Sequence, residues 1–243
     1  MVEICKDHTG KMEGIQSIYT SVLLNPNCQE RQKIKGTICS KCYAENMAQM
    51  YSGLSARLAR NTKTLTTKIL SNEELPDVSD QKIFRLESFG DINNKIQLQN
   101  YINLAKKNSG TRFTLWTKMY KLAYEFFSEH EVPENFTLII SSLMINKKTD
   151  ISRFKELGKF RKGQLKVFTV YDLSYVKEHW EEMDLNCGSR FCFGCRLCYD
   201  LNEVEEINEI LKSDQPAVDR FIKSKDPKFL EKLGEEIDDL WTL

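Results

Sequence analysis

Ile83–Phe89 reads IFRLESF, Phe113–Met119 FTLWTKM, Phe136–Leu143 FTLIISSL and Leu165–Asp172 LKVFTVYD. Each run is short and rich in β-branched or aromatic residues, as a strand requires, and the segments between them carry apolar residues at helical spacing: KIQLQNYINLAKKN from Lys95, YKLAYEFFSEH from Tyr120, and Thr149 to Phe160. The strands begin 30, 23 and 29 residues apart, the length of a βα unit, so they are expected to be parallel neighbours joined by right-handed crossovers. Upstream, Gly14–Leu24 (GIQSIYTSVLL) supplies a further strand, followed by helices around Cys42–Tyr51 and Leu54–Leu70. The class is α/β, and the expected architecture is a partial (βα) barrel of about five or six parallel strands. An open doubly wound sheet is the alternative. After Cys198, NEVEEINEILKS, VDRFIKS and FLEKLGEEIDDLW read as a helical C-terminal extension.

The chain has 243 residues, 41% hydrophobic and 29% charged, enough to bury a sizeable core and too apolar for disorder. One domain is expected, with a cysteine-bearing segment over 1–72, a βα core over 73–185, and a cysteine cluster with its helical tail over 186–243. No run approaches roughly 18 consecutive apolar residues, and the N-terminus has no apolar signal region, so a cytoplasmic protein with no membrane partner is expected. Thirty-five Lys and Arg balance thirty-five Asp and Glu, which removes any global electrostatic case for nucleic acid. The charge is uneven along the chain. Residues 1–72 hold ten basic against five acidic side chains, and residues 199–243 hold six against thirteen. Arg57, Arg60, Lys63 and Lys68, near Tyr43 and Tyr51, are the local candidates for a nucleic-acid contact, against the plainer reading of a solvated helix face or a basic region covered by the acidic tail.

Cysteine is the residue type that needs explaining. Cys28, Cys39 and Cys42 form one group in NCQERQKIKGTICSKCYAEN, and Cys187, Cys192, Cys195 and Cys198 a second in NCGSRFCFGCRLCYD. Cys5 stands apart and reads as an ordinary thiol. In a reducing compartment such spacing points to metal rather than to disulfides. The C-x2-C-x2-C run is the compact form used by iron–sulfur clusters, whereas structural zinc normally pairs two well-separated C-x2-C knuckles. One or two clusters, most simply [4Fe–4S], are therefore expected on these seven thiolates, with zinc the alternative and the division of ligands between centres left open. None of His8, His130 and His179 falls inside either group.

In either parallel architecture, chemistry belongs at the carboxyl ends of the strands. Arg85, Glu87, Ser88, Gly90 and Asp91 follow the first strong strand, Thr117 and Lys118 end the second, Ser141 and Ser142 the third, and Tyr171 and Asp172 the fourth. Arg85, Glu87, Asp91 and Lys118 are the pocket candidates, with Asp91 also placed to cap the helix that begins near Asn94. No catalytic role is assigned to any one of them.

The ordered set ICSKCYAEN, FRLESFGDI, FTLWTKMY and a terminal C-x4-C-x2-C-x2-C run resembles the gene-product-88-like family of phage and mobile-element proteins over roughly residues 25 to 200. That family pairs a C-x(2-3)-CYA element with an arginine-led strand ending in Ser-Gly-Asp; here Phe89 intervenes between Ser88 and Gly90. The resemblance implies a metal site and a phage-type protein of the host cytosol more than an activity. More distantly, the chain resembles radical S-adenosylmethionine enzymes, although Cys28-x10-Cys39-x2-Cys42 lacks their C-x3-C interval. That likeness implies a cluster on Cys28, Cys39 and Cys42 whose open iron binds S-adenosylmethionine, with Arg85, Glu87 and Lys118 lining the pocket. The expected function is an iron–sulfur protein, as a radical or redox enzyme acting on a small molecule or with a redox partner. A zinc-stabilised nucleic-acid-binding or structural interaction protein is the alternative.

Overall fold

The computed structural model describes residues 2–6, 10–188 and 191–225. His8 and the FLEKLGEEIDDLW stretch lie outside the described residues. One seven-stranded sheet runs through the fold in sequence order. Its strands are β1 (Cys5–Lys6), β2 (Gln16–Ile18), β3 (Ile83–Leu86), β4 (Arg112–Thr117), β5 (Phe136–Ser141), β6 (Leu165–Tyr171) and β7 (Glu206–Ile210). β1 is antiparallel to β2, and every other neighbouring pair is parallel. The order never reverses, as it must in a doubly wound sheet, so the crossovers of one hand carry their helices to a single face.

That helical face holds the main core. Phe84, Leu86, Phe113, Leu115, Phe136, Leu138, Ile140, Leu165 and Val167 project towards α3 (Ser52–Thr67), α4 (Lys95–Lys107), α5 (Tyr120–Glu129) and α6 (Ser152–Glu156). They meet Leu98, Tyr101, Ile102 and Phe126 there. The alternate residues face the other way, where Ile83, Trp116, Ile139 and Ile207 pack against Tyr199 and the late cysteine segment. Both faces are covered, which is why these strands read as nearly continuous apolar runs.

Two expectations are corrected. Residues 206–210, expected to be helical, form β7 and pair in parallel with β6 from Val167 opposite Glu206 to Tyr171 opposite Ile210. Val204, Ile207 and Ile210 are three apart, a spacing that mimics a helix. In the strand, Ile207 enters the helix-free face while Ile210 packs with Tyr171 and Val176. Asp91 does not cap α4; Asn94 does, its side chain accepting from the Gln97 amide at 2.9 Å. The expected helix after residue 198 survives in part as α9 (Gln215–Lys225). Among the described residues no helix is long and apolar enough to cross a membrane. On the basic helix face Arg57 and Arg60 share Glu3, and Lys68 pairs with Glu74.

Lys166 shows how the late cysteine segment is held. It lies on the helix-free side of β6, fully buried. Its ammonium donates to the carbonyls of Leu197 (2.8 Å) and Asp200 (3.2 Å) and to Asn202 Oδ1 (2.7 Å). Burial lowers its pKa, opposed by the neighbouring Cys198 and Asp200. Lys166→Met should cost about 2–3 kcal/mol in urea unfolding, since it strands three acceptors. Lys162→Met, which breaks only the exposed pair with Glu203, should cost under about 1 kcal/mol.

Candidate functional site

The chain leaves β3 through a turn that its own side chains hold. Glu87 has φ +58°, a left-handed conformation that a non-glycine residue adopts at a cost of about 1–3 kcal/mol. Its amide donates to Ile18 O at 3.0 Å. Its buried carboxyl group accepts from Thr20 Oγ1 (2.8 Å), Gln97 Nε2 (2.6 Å) and the Tyr101 hydroxyl. Burial pushes the Glu87 pKa up to about 8, against the pull of the Tyr101 and Thr20 hydrogen bonds. Burial therefore favours the protonated form of this side chain. Gly90 follows at φ +84°, where a Cβ would lie 2.6 Å from Thr20 O and 2.8 Å from Glu87 Oε2, so only glycine fits. The intervening Phe89 packs between Tyr19 and Tyr43, with ring centroids at 5.0 and 5.5 Å.

Asp91 ends the turn with a saturated carboxylate. Oδ1 accepts from Thr117 Oγ1 at 2.5 Å and Ile92 N at 2.9 Å. Oδ2 accepts from Lys118 N at 2.9 Å and from Arg31 Nη1 at 3.3 Å. Arg31 also donates through Nη2 to Lys118 O at 2.9 Å. Through these bonds α1 (Pro26–Gln32) is fixed to the carboxyl ends of β3 and β4.

This docking positions the first cysteine group. Cys28 lies on α1 behind the Asn25 cap and Pro26. Cys39 sits in a 3-10 turn over Ile38–Lys41, capped by Thr37 and joined to the end of β5 by Ile38 N to Leu143 O at 3.0 Å. Cys42 opens α2 (Tyr43–Met50). Burial raises the Cys28 thiol pKa, and Asp91 and Cys39 push the same way. Burial also raises Cys39, opposed by Lys118 and Arg31. Cys28 and Cys39 thus lie at the carboxyl rim near Asp91 and Lys118, and Cys42 packs against the cluster that holds Cys28.

The second group lies on the helix-free face. Cys187 N donates to Asn208 O on β7 at 3.1 Å, and Cys187 Sγ accepts from Lys11 Nζ at 3.2 Å. Lys11 is also ion-paired with Glu209. Cys192 and Cys195 bound the single turn α8 (Cys192–Cys195), and Arg196 then turns left-handed at φ +53°. Thr114 Oγ1 donates to Cys198 O at 3.4 Å. Burial raises the Cys198 thiol pKa, and Cys187, Cys192 and Cys195 raise it further while Arg85 opposes them. Cys187, Cys192 and Cys198 pack against the one cluster formed by Trp116, Ile139, Tyr199 and Ile207, and Cys195 ends the turn that Cys192 begins. Among the described residues no three of His, Cys, Asp and Glu stand close enough together to hold a metal ion as they are placed.

Of the pocket candidates, Glu87, Asp91 and Lys118 come together at the rim, whereas Arg85 does not join them. Strand alternation sets residues 85 and 87 on one face, but β3 ends at Leu86 and left-handed Glu87 swings to the helical side. Arg85 lies over the Trp116 ring at 4.0 Å, with Nη1 2.8 Å from Met12 Sδ. Tyr101, Gln97, Thr20, Arg31, Lys11 and Lys166 were not anticipated. The legible signal was Gln97, Asn100 and Tyr101, polar positions on a buried face of α4 whose other residues are apolar. Cys5 is buried beside Tyr19 and accepts from Arg57 Nη1 at 3.4 Å. His130 and His179 stack on Phe126 and Tyr175.

The gene product 88 family matches residues 5–172, from β1 to the end of β6. The chain belongs to this family. The matched span contains the first cysteine group and the rim but stops before Cys187, so it is shorter at the C-terminal end than the motif resemblance suggested. No curated protein and no solved structure matches the chain. The likeness to radical S-adenosylmethionine enzymes has no counterpart in the family match.

The pKa of Glu87 gives a pH signature. Its folded value lies above the ordinary 4.5, so its contribution to stability is complete below about pH 4.5 and is lost as pH rises towards about 8. The urea midpoint of the wild type should fall over that interval relative to Glu87→Gln, whose amide carries no titrating proton. Parallel curves for the two proteins would show that Glu87 ionises normally.

Proposed function

We propose that this gene product 88 protein is a cytosolic iron–sulfur protein of phage or mobile-element type, built on a partial (βα) barrel. Cys187, Cys192, Cys195 and Cys198 hold one cluster, and Cys28, Cys39 and Cys42 form a second centre at the strand rim. The observation that carries this reading is that Cys187, Cys192 and Cys198 pack against one cluster of Trp116, Ile139, Tyr199 and Ile207, with Cys195 ending the turn that Cys192 begins. The donor set fits: sulfur ligands suit iron–sulfur clusters or zinc, and the compact spacing favours the cluster. Burial favours the protonated form of Cys28, Cys39, Cys187, Cys192 and Cys198, so loading must release protons there and its free energy becomes folding free energy.

An enzymatic form of the reading is favoured by placement. The three-thiol group stands where parallel α/β proteins put their chemistry, near Lys118 and the buried carboxyl group of Glu87. Cys28, Cys39 and Cys42 would hold such a cluster, which when bound would supply a binding position for S-adenosylmethionine. In that arrangement Lys118 supplies positive charge beside Cys28 and Cys39, and Asp91 keeps α1 in register with the rim.

Anaerobic purification with iron, sulfide and zinc quantified per chain decides between the metals. The expected result is a brown protein with broad visible absorption and matched iron and sulfide, whose spectrum changes on adding S-adenosylmethionine. Cys195→Ser should lose part of the iron and lower thermal stability, while Cys39→Ser should abolish the response to S-adenosylmethionine. A colourless protein carrying zinc would overturn the iron–sulfur assignment.

A further inference from the structure

Arg85 differs from the other cations on the helix-free face. Lys11 pairs with Glu209, and Lys166 is satisfied by three oxygens. Arg85 forms no ion pair with any carboxylate among the described residues. Its Nε is buried without a hydrogen-bond partner, and its Nη1 is spent on a thioether, Met12 Sδ. Trp116 stacks beneath it, and Trp116 in turn meets Tyr199 edge-on at 5.5 Å. Trp116 and Tyr199 belong to the cluster against which Cys187, Cys192 and Cys198 pack, so the guanidinium and these sulfurs share one patch of the sheet. The side chain is thus a cation held in place with only neutral groups around it while the cysteines remain thiols.

We propose that Arg85 is the built-in counter-charge of the metal–thiolate centre at Cys187, Cys192, Cys195 and Cys198. The inference rests on the reading that these cysteines hold a metal, and it adds a residue that positions and tunes that centre. Four thiolates exceed the charge of either zinc or an oxidised cluster core, so the loaded centre is anionic, and a low-dielectric site needs compensation for it. Arg85 is pre-placed to give it: Trp116 and Met12 fix the guanidinium, and charging the sulfurs satisfies it. A fixed positive charge next to an iron–sulfur cluster also favours the reduced state and raises its potential.

The test uses the full chain, reconstituted anaerobically in the Cys39→Ser background so that the late centre is read alone. Arg85→Gln and Arg85→Lys are compared with that parent for metal loss to a chelator and for midpoint potential. Arg85→Gln is expected to lose metal roughly tenfold faster and to show a more negative potential, with Arg85→Lys close to the parent in both. Equal behaviour of Arg85→Gln and the parent would overturn the proposal. Equal impairment of the Gln and Lys variants would also overturn it, since packing rather than charge would then be lost. If the parent holds zinc, the iron–sulfur reading fails by elemental analysis, while the chelator comparison still supports or overturns the role of Arg85. A parent that binds no metal would overturn both.

Discussion

The Asp91 carboxylate is the junction on which the arrangement of the rim depends. It receives the Thr117 hydroxyl, the Ile92 and Lys118 amides and the Arg31 guanidinium, and so locks three separate pieces of chain together. A buried carboxylate is tolerated only when its oxygens are satisfied, and here both are. Removing Asp91 would leave Arg31 with Lys118 O and Met119 Sδ as its remaining partners and would loosen α1 from the strands. Cys28 sits on that helix, and Cys39 follows it within the same docked segment. The first cysteine group is therefore placed by this electrostatic contact together with the packing of Cys28 and Cys42 against Tyr19, Val22 and Leu58.

The second group depends on a different device, the helix-free face of a singly wound sheet. Because the crossovers send α3 to α6 to one side, the other side is left for a non-helical segment to cover. Residues 187–188 and 191–202 do so, but loop backbone laid on a sheet must find donors for its carbonyls. Lys166 and Thr114 supply them from β6 and β4. Cys28 and Cys42 pack with Tyr19, Val22 and Leu58, whereas Cys187, Cys192 and Cys198 pack with Trp116, Ile139 and Ile207. The two thiol groups therefore occupy different regions of the fold, one above the strand ends and one against the sheet.

The sequence made much of this legible, and its failures have physical reasons. Strands buried on both faces leave long apolar runs, so β3 to β6 stood out. The βα spacing then implied parallel pairing. β7 did not stand out because Ile207 and Ile210 are three apart and serve opposite faces, which imitates a helix. β1 is two residues long and carries no pattern. The cysteine groups were visible because their spacing is chemical rather than periodic. The division of Arg85 from Glu87 was not, because it arises from a left-handed residue that glutamate does not advertise. The bonds that hold Glu87 come from Thr20, Gln97 and Tyr101, dispersed through the chain.

Native mass spectrometry of the anaerobically purified protein, with Cys39→Ser and Cys195→Ser alongside it, tests the central claim most directly. Two separate metal centres predict two mass increments on the wild-type chain, with one lost in Cys39→Ser and the other in Cys195→Ser. A single increment that disappears in both variants, or a wild-type chain with no increment, would contradict the account.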